Sequence, residues 1–184
     1  IINPLVADQA EMRRSILPGL LRSVAYNLDH GVDAVALYEI GRVFFGHENK
    51  SQPDEPSFVC GVLSGHRDDE WCQKFEDYDF FDAKGVVEQL LSALRVTKVR
   101  FKVADPQTYG WLQPGRAAEV YGNKGELMGW VGNIHPKALK AFGVDAPVVA
   151  FELSVESLLR LAHRELPYVD VPTLPGVDVD LAIV

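Results

Sequence analysis

Apolar residues recur at helical spacing over Leu17, Leu20, Leu21, Val24, Ala25 and Leu28, the stripe of an amphipathic helix. Pro18 suits a first helical turn, and the residue before a proline is pushed away from helix. The spacing predicts a helix from Pro18 to Asp29 or His30, closed by Gly31 as a left-handed cap. Its stripe must pack either on this domain's own sheet or on another chain. Val35–Phe45 is rich in branched and aromatic residues and reads as a long strand; Ser57–Leu63 reads as a second. The polar segment 46–56, with two prolines, makes them an antiparallel pair with a long connection. Residues 64–79, with their runs of acids, read as a surface loop.

Asp79 can cap a helix from Phe80 or Phe81 to Leu94, whose apolar positions Val86, Val87, Leu90, Leu91 and Leu94 recur at three and four. Gly85 inside it is unfavourable by about 1 kcal/mol relative to alanine, which suggests a close crossing with another element. Val99–Val103 alternates strictly and reads as a half-buried strand. Asp105–Gly115 reads as a loop. Ala117–Tyr121, the turn Gly122-Asn-Lys-Gly125 and Glu126–Ile134 make a hairpin. A short helix runs from Pro136 to Phe142, a strand from Val148 to Leu153, and a helix capped by Ser154 from Val155 to about Ala162. The order α-β-β-α-β-β-β-α-β-α does not alternate one for one, so a doubly wound parallel sheet is disfavoured. The expected fold class is α+β: an antiparallel sheet flanked by helices.

Composition narrows the function. The 184 residues fit one domain, and 47% hydrophobic with 24% charged is globular. Net charge is −8, so the mean field repels phosphate backbones and nucleic acid is a poor first partner. Two cysteines, Cys60 and Cys72, are too few for a disulfide framework and read as reduced thiols of a cytosolic protein. No apolar run of about 18 residues crosses a membrane. The chain starts without Met and ends in an apolar run after Asp180, which is expected of an excised piece.

Candidate chemistry is sparse. Gly122-Asn-Lys-Gly125 reads as a turn, not a phosphate loop. Cys60, His66 and Cys72 lack the spacing of zinc modules; Cys60 reads as a buried structural cysteine, and His135, before Pro136, as a cap or packing residue. Glu39 reads as ion-paired and Asp82 as cap-proximal. Arg13, Arg14, Arg42 and Arg116 could clamp a carboxylate or phosphate, but pairing with the surplus acids is favoured. No catalytic, cofactor-binding or metal residues are assigned.

Met12-Arg-Arg-Ser-Ile-Leu-Pro-Gly-Leu-Leu21, Asn27-Leu-Asp-His-Gly31, Tyr38-Glu-Ile-Gly-Arg42 and Phe80-Phe-Asp-Ala-Lys-Gly85 follow in an order that resembles the β chain of bacterial phenylalanyl-tRNA synthetase. So do Gln113-Pro-Gly-Arg-Ala-Ala-Glu119, Gly132-Asn-Ile-His-Pro136 and Phe151-Glu-Leu153. Gln113 stands where the family usually has histidine, and Val177-Asp-Val-Asp180 where it usually shows an Arg-Asp pair. The resemblance implies a degenerate, non-catalytic class II synthetase-like core over residues 1–166. Residues 167–184 would then be a linker and the first strand of an anticodon-binding domain. It also implies a cytoplasmic α2β2 assembly that joins phenylalanine to its tRNA with ATP and magnesium. The active site would lie on the α chain, and tRNA would be held mainly by other domains.

On that reading the first helix and the strand after it form a subunit interface, with Arg13, Leu17, Leu20, Leu21, Val24, Leu28, Tyr38 and Arg42 as its residues. The competing reading is a stand-alone domain that binds a small molecule such as an amino acid. An interface helix should leave its apolar stripe exposed; a stand-alone binder should bury it and show a closed, polar-lined pocket.

Overall fold

The computed structural model describes residues 11–46, 52–66, 76–163, 170 and 180. The proposed linker and last strand, residue Cys72 and most of the acidic loop lie outside them. In chain order the elements are α1 (Leu17–Asp29), β1 (Val35–Arg42), β2 (Ser57–Ser64), α2 (Phe80–Ala93), β3 (Arg100–Val103), β4 (Leu112–Tyr121), β5 (Leu127–Ile134), α3 (Pro136–Ala141), β6 (Val148–Ser154) and α4 (Val155–Leu161). This is the α+β order that the apolar pattern predicts.

Local chemistry sets the ends. Pro18 lies in the first turn of α1, and Gly31 takes φ +80° just past its end. Asp79 accepts from the Phe81 and Asp82 amides while Asp82 accepts from the Asp79 amide, a reciprocal capping box that starts α2. His135 Nδ1 accepts from the Lys137 amide and caps α3; Ser154 Oγ accepts from the Ser157 amide and caps α4. Between β4 and β5, Asn123–Gly125 form one 3-10 turn, with Gly125 at φ +79°.

The six strands form one sheet in the order β1-β2-β6-β5-β4-β3. Every neighbouring pair is antiparallel. The late strand β6 therefore enters the middle of the sheet. Its run Val148–Leu153 is buried on both sides and apolar but for Glu152, because both faces are covered there. Val148 and Ala150 join α1 and the residues of α3 in one core; Val149, Phe151 and Leu153 join α2 and α4 in the other. β1 instead alternates between covered and exposed positions, because it is an edge strand with α1 on one side only.

Three expectations change. β3 is largely exposed rather than half-buried, since it closes the far edge and little lies over it. The expected loop before Gly115 belongs to β4 from Leu112 onward. Gln113-Pro-Gly hides it from the pattern, because the register with β5 shifts between Leu112 and Ala117 and Gly115 takes φ +76°. Gly85 marks no close crossing: a Cβ there would meet nothing. Gly85→Ala should therefore stabilise the domain by about 1 kcal/mol, a rise of about 2–4 °C in melting temperature by calorimetry.

Candidate functional site

On the face covered by α1, one row of side chains crosses the whole sheet through paired positions: Glu39, Cys60, Glu152, Trp130, Glu119 and Lys102. Glu152 is its centre. It is 7% exposed, and its carboxylate accepts the Ile16 amide at 2.7 Å and the Ser15 hydroxyl at 3.0 Å. Ile16 is the N-cap of α1 and has no side-chain cap of its own. Glu152 thus supplies, from the middle of the sheet, the acceptor for the N-cap amide, while Ser15 Oγ, which donates to Glu152, accepts the Leu17 amide at 3.2 Å. A negative charge at that end is also favoured by the helix dipole. Burial nonetheless outweighs these bonds and raises the Glu152 pKa. The neighbouring Cys60 thiol is pushed up by burial first, then by Glu152 and Glu39, and is an inert core residue.

Beside this joint a second one forms. The Arg13 guanidinium donates to Glu39 at 2.6 Å and to the Arg42 carbonyl at 2.8 Å. It lies against Gly41, where any side chain would collide with it. Glu39 and Gly41 occupy the same face of β1, so Glu-Ile-Gly is the seat for Arg13. The Arg13 carbonyl in turn accepts the Phe44 amide at 2.8 Å. Arg42 pairs with Glu55 at 3.0 Å. Arg13 and Arg42 therefore follow the pairing reading. Arg116 stays exposed beside a hollow of about 380 Å3 that Gln113 and Asn133 also line.

The expected interface residues separate into two groups. Leu17, Leu20, Leu21 and Val24 are buried in the core that α1 makes with β1 and β2, and Leu28 is half-buried against it. They are not free to meet a partner, because the sheet needs that stripe to cover its own apolar face. Arg13 is held by its clasp. Tyr38 and Arg42 point to the other face of β1, away from α1, and with Ile40 they are exposed: Tyr38 by 76% and Ile40 by 64%. Ile40 was not foreseen; the alternation that placed Tyr38 on that face places it there too.

Between the start of α1, α3 and the sheet lies a cleft of about 630 Å3. Tyr109, Trp111, Trp130, Phe45, Phe58 and Phe142 wall it, and Ser15, Glu152 and Arg14 bring its polar groups. It is open and mainly aromatic rather than closed and polar, so neither simple expectation for the stripe and the pocket holds as a pair. Tyr109 beside Glu119 has its hydroxyl pKa pushed up to about 12, by burial first and then by that carboxylate.

Comparison with known proteins decides the family. The model of the phenylalanyl tRNA synthetase beta chain CLM domain matches residues 1–155. The chain belongs to this family. It is 38% identical to the phenylalanine–tRNA ligase beta subunit of Bacillus licheniformis over 98% of this chain and 22% of that protein. The same subunit of Moorella thermoacetica is 38% identical over 100% of the chain and 22% of its own length. That of Bacillus subtilis is 37% identical over 98% and 22%. The chain spans about a fifth of the length of these beta subunits.

The short motifs that resemble the family turn out to be joints of the fold. Arg13-Arg-Ser-Ile16 holds the clasp and the Glu152 bond; Tyr38-Glu-Ile-Gly-Arg42 is the seat; Phe151-Glu-Leu153 carries the buried acceptor. Because Glu152 titrates above its ordinary 4.5 in the folded chain, the folded state binds that proton more readily than the unfolded one. The stability it adds is complete below 4.5 and is lost as pH rises through the raised value. Wild type should thus lose stability relative to Glu152→Gln as pH rises above 4.5, read from denaturant melts at successive pH values. A difference that grows in the opposite direction would show the ionised form to be the favoured one.

Proposed function

We propose that this chain is a non-catalytic, class II synthetase-like core of a phenylalanine–tRNA ligase beta chain, and that it holds the alpha chain in an α2β2 enzyme. Family membership favours this over a stand-alone binder. The antiparallel sheet flanked by helices agrees with a class II-like ancestry. The parent assembly would use ATP and magnesium in the cytoplasm, with tRNA carried mainly by other segments. Among the described residues no helix is long and apolar enough to cross a membrane.

The observation that carries the interface is the uncovered face of β1. Tyr38 and Ile40 are two large apolar side chains, spaced by two on an edge strand and bounded by Arg42. Their burial would be favourable at about 25 cal/mol per Å2, and β1 is an outer strand of the sheet, the position at which another chain can pair. The contact therefore passes from the leucine stripe of α1 to Tyr38, Ile40 and Arg42. Arg13 takes part by holding β1 in place.

Light scattering of the chain mixed with the matching alpha chain tests this. Tyr38→Asp and Ile40→Asp should each weaken association by about 2 kcal/mol or more, as for interface hot spots, while leaving the melting temperature of the free chain nearly unchanged. Leu21→Asp should instead unfold the domain. Full association by the Tyr38→Asp, Ile40→Asp double variant would overturn the assignment.

A further inference from the structure

Three carboxylates share the row on the α1 face, and among the described residues only Glu39 has a direct ion pair. Glu39 has the Arg13 guanidinium at 2.6 Å, and Glu119 accepts the Tyr121 hydroxyl at 2.7 Å. The hydrogen-bond donors of Glu152 are neutral; the Arg13 charge acts on it from its clasp with Glu39, but among the described residues no cation forms a salt bridge with it. It is also the most buried of the three, and it borders the 630 Å3 cleft. Burying a carboxylate is unfavourable, and burial raises its pKa against both its hydrogen bonds and the Arg13 charge. Arg14, the cation at the rim, is exposed and lies 5.7 Å from the Phe45 ring centroid.

The walls suit a cation set close to this carboxylate. Tyr109, Trp111 and Trp130 stand edge to face in succession, with centroids 5.5 and 6.3 Å apart and planes at 73° and 71°. They form an aromatic corner, and Trp130 is the direct cross-strand neighbour of Glu152. Indole faces carry negative charge density and attract ammonium groups within about 6 Å. Leu17, Leu21 and Ile134 complete an apolar lining. We infer that this cleft binds a small organic ammonium, its charge between Glu152 and the Trp130 ring and its apolar body against the aromatic corner. A free amine and a lysine side chain carry the same group; a cleft of about 630 Å3, large enough for a whole small ligand, assigns the site to the free amine.

Benzylammonium titrated into the chain by calorimetry, with benzyl alcohol as its neutral counterpart, tests the inference without any variant. The amine should bind about tenfold or more tightly than the alcohol. Trp111→Ala, at the 40% exposed mouth, should weaken both probes without unfolding the chain, and Glu152→Gln should abolish the preference where the variant folds. Equal binding of the two probes, or no binding of either at millimolar concentration, overturns the site. Repeating the titration on the assembly with the matching alpha chain separates the sources. Retained amine binding supports a free ligand; loss on assembly gives the cleft to a partner's side chain and overturns it.

Discussion

The fold depends on one buried carboxylate. Glu152 sits in the middle strand of a sheet whose centre is otherwise apolar on both faces, and it receives the amide of a residue 136 positions earlier. That bond places the start of α1 over the sheet. A helix whose N-cap is isoleucine cannot satisfy its own first amides through that side chain. A strand whose side chains are buried on both faces cannot hold an unbonded carboxylate. Each defect removes the other. The first helix and the last strand are thereby tied across the whole domain, and the Leu17–Val24 stripe is set against β1 and β2.

Much of the surrounding geometry follows from that placement. With α1 started at Ile16, Arg13 falls beside β1, where Glu39 and the bare backbone of Gly41 receive it. The helix covers β1 and β2, and the aromatic cleft stays open between its start and α3. Covering one face of β1 leaves the other, with Tyr38 and Ile40, turned outward. A domain that uses its longest apolar stripe internally can offer only a sheet edge and a few side chains to another chain. The proposed interface is accordingly small on this side, and it is set by strand register rather than by the helix.

The family relation gives these joints a context without making them catalytic. The paired arginines, the inert buried thiol and the carboxylate under the helix hold elements together. Asp82, read as cap-proximal, completes a reciprocal helix cap with Asp79, and Glu39, read as ion-paired, is held by Arg13. Among the described residues, the feature that these joints leave open is a cleft where aromatic rings meet the Glu152 carboxylate.

Local signals in the sequence were enough for the elements. Pro18, Gly31, Asp79, His135 and Ser154 act within a turn of their own position, and the spacing of apolar residues follows the repeat of helix or strand. The sequence therefore determined the order of ten elements, the α+β class and, through its motifs, the family. It could not tell which surface each stripe would meet. The α1 leucines look alike whether a sheet or a subunit covers them, and Gln113-Pro-Gly resembles a loop until β5 pairs with it. Tertiary structure alone decided that the stripe is internal, that Arg13 and Glu39 meet, and that Glu152 lies under α1. Those contacts join residues far apart in the chain, and no local periodicity encodes which distant partner will cancel a buried charge.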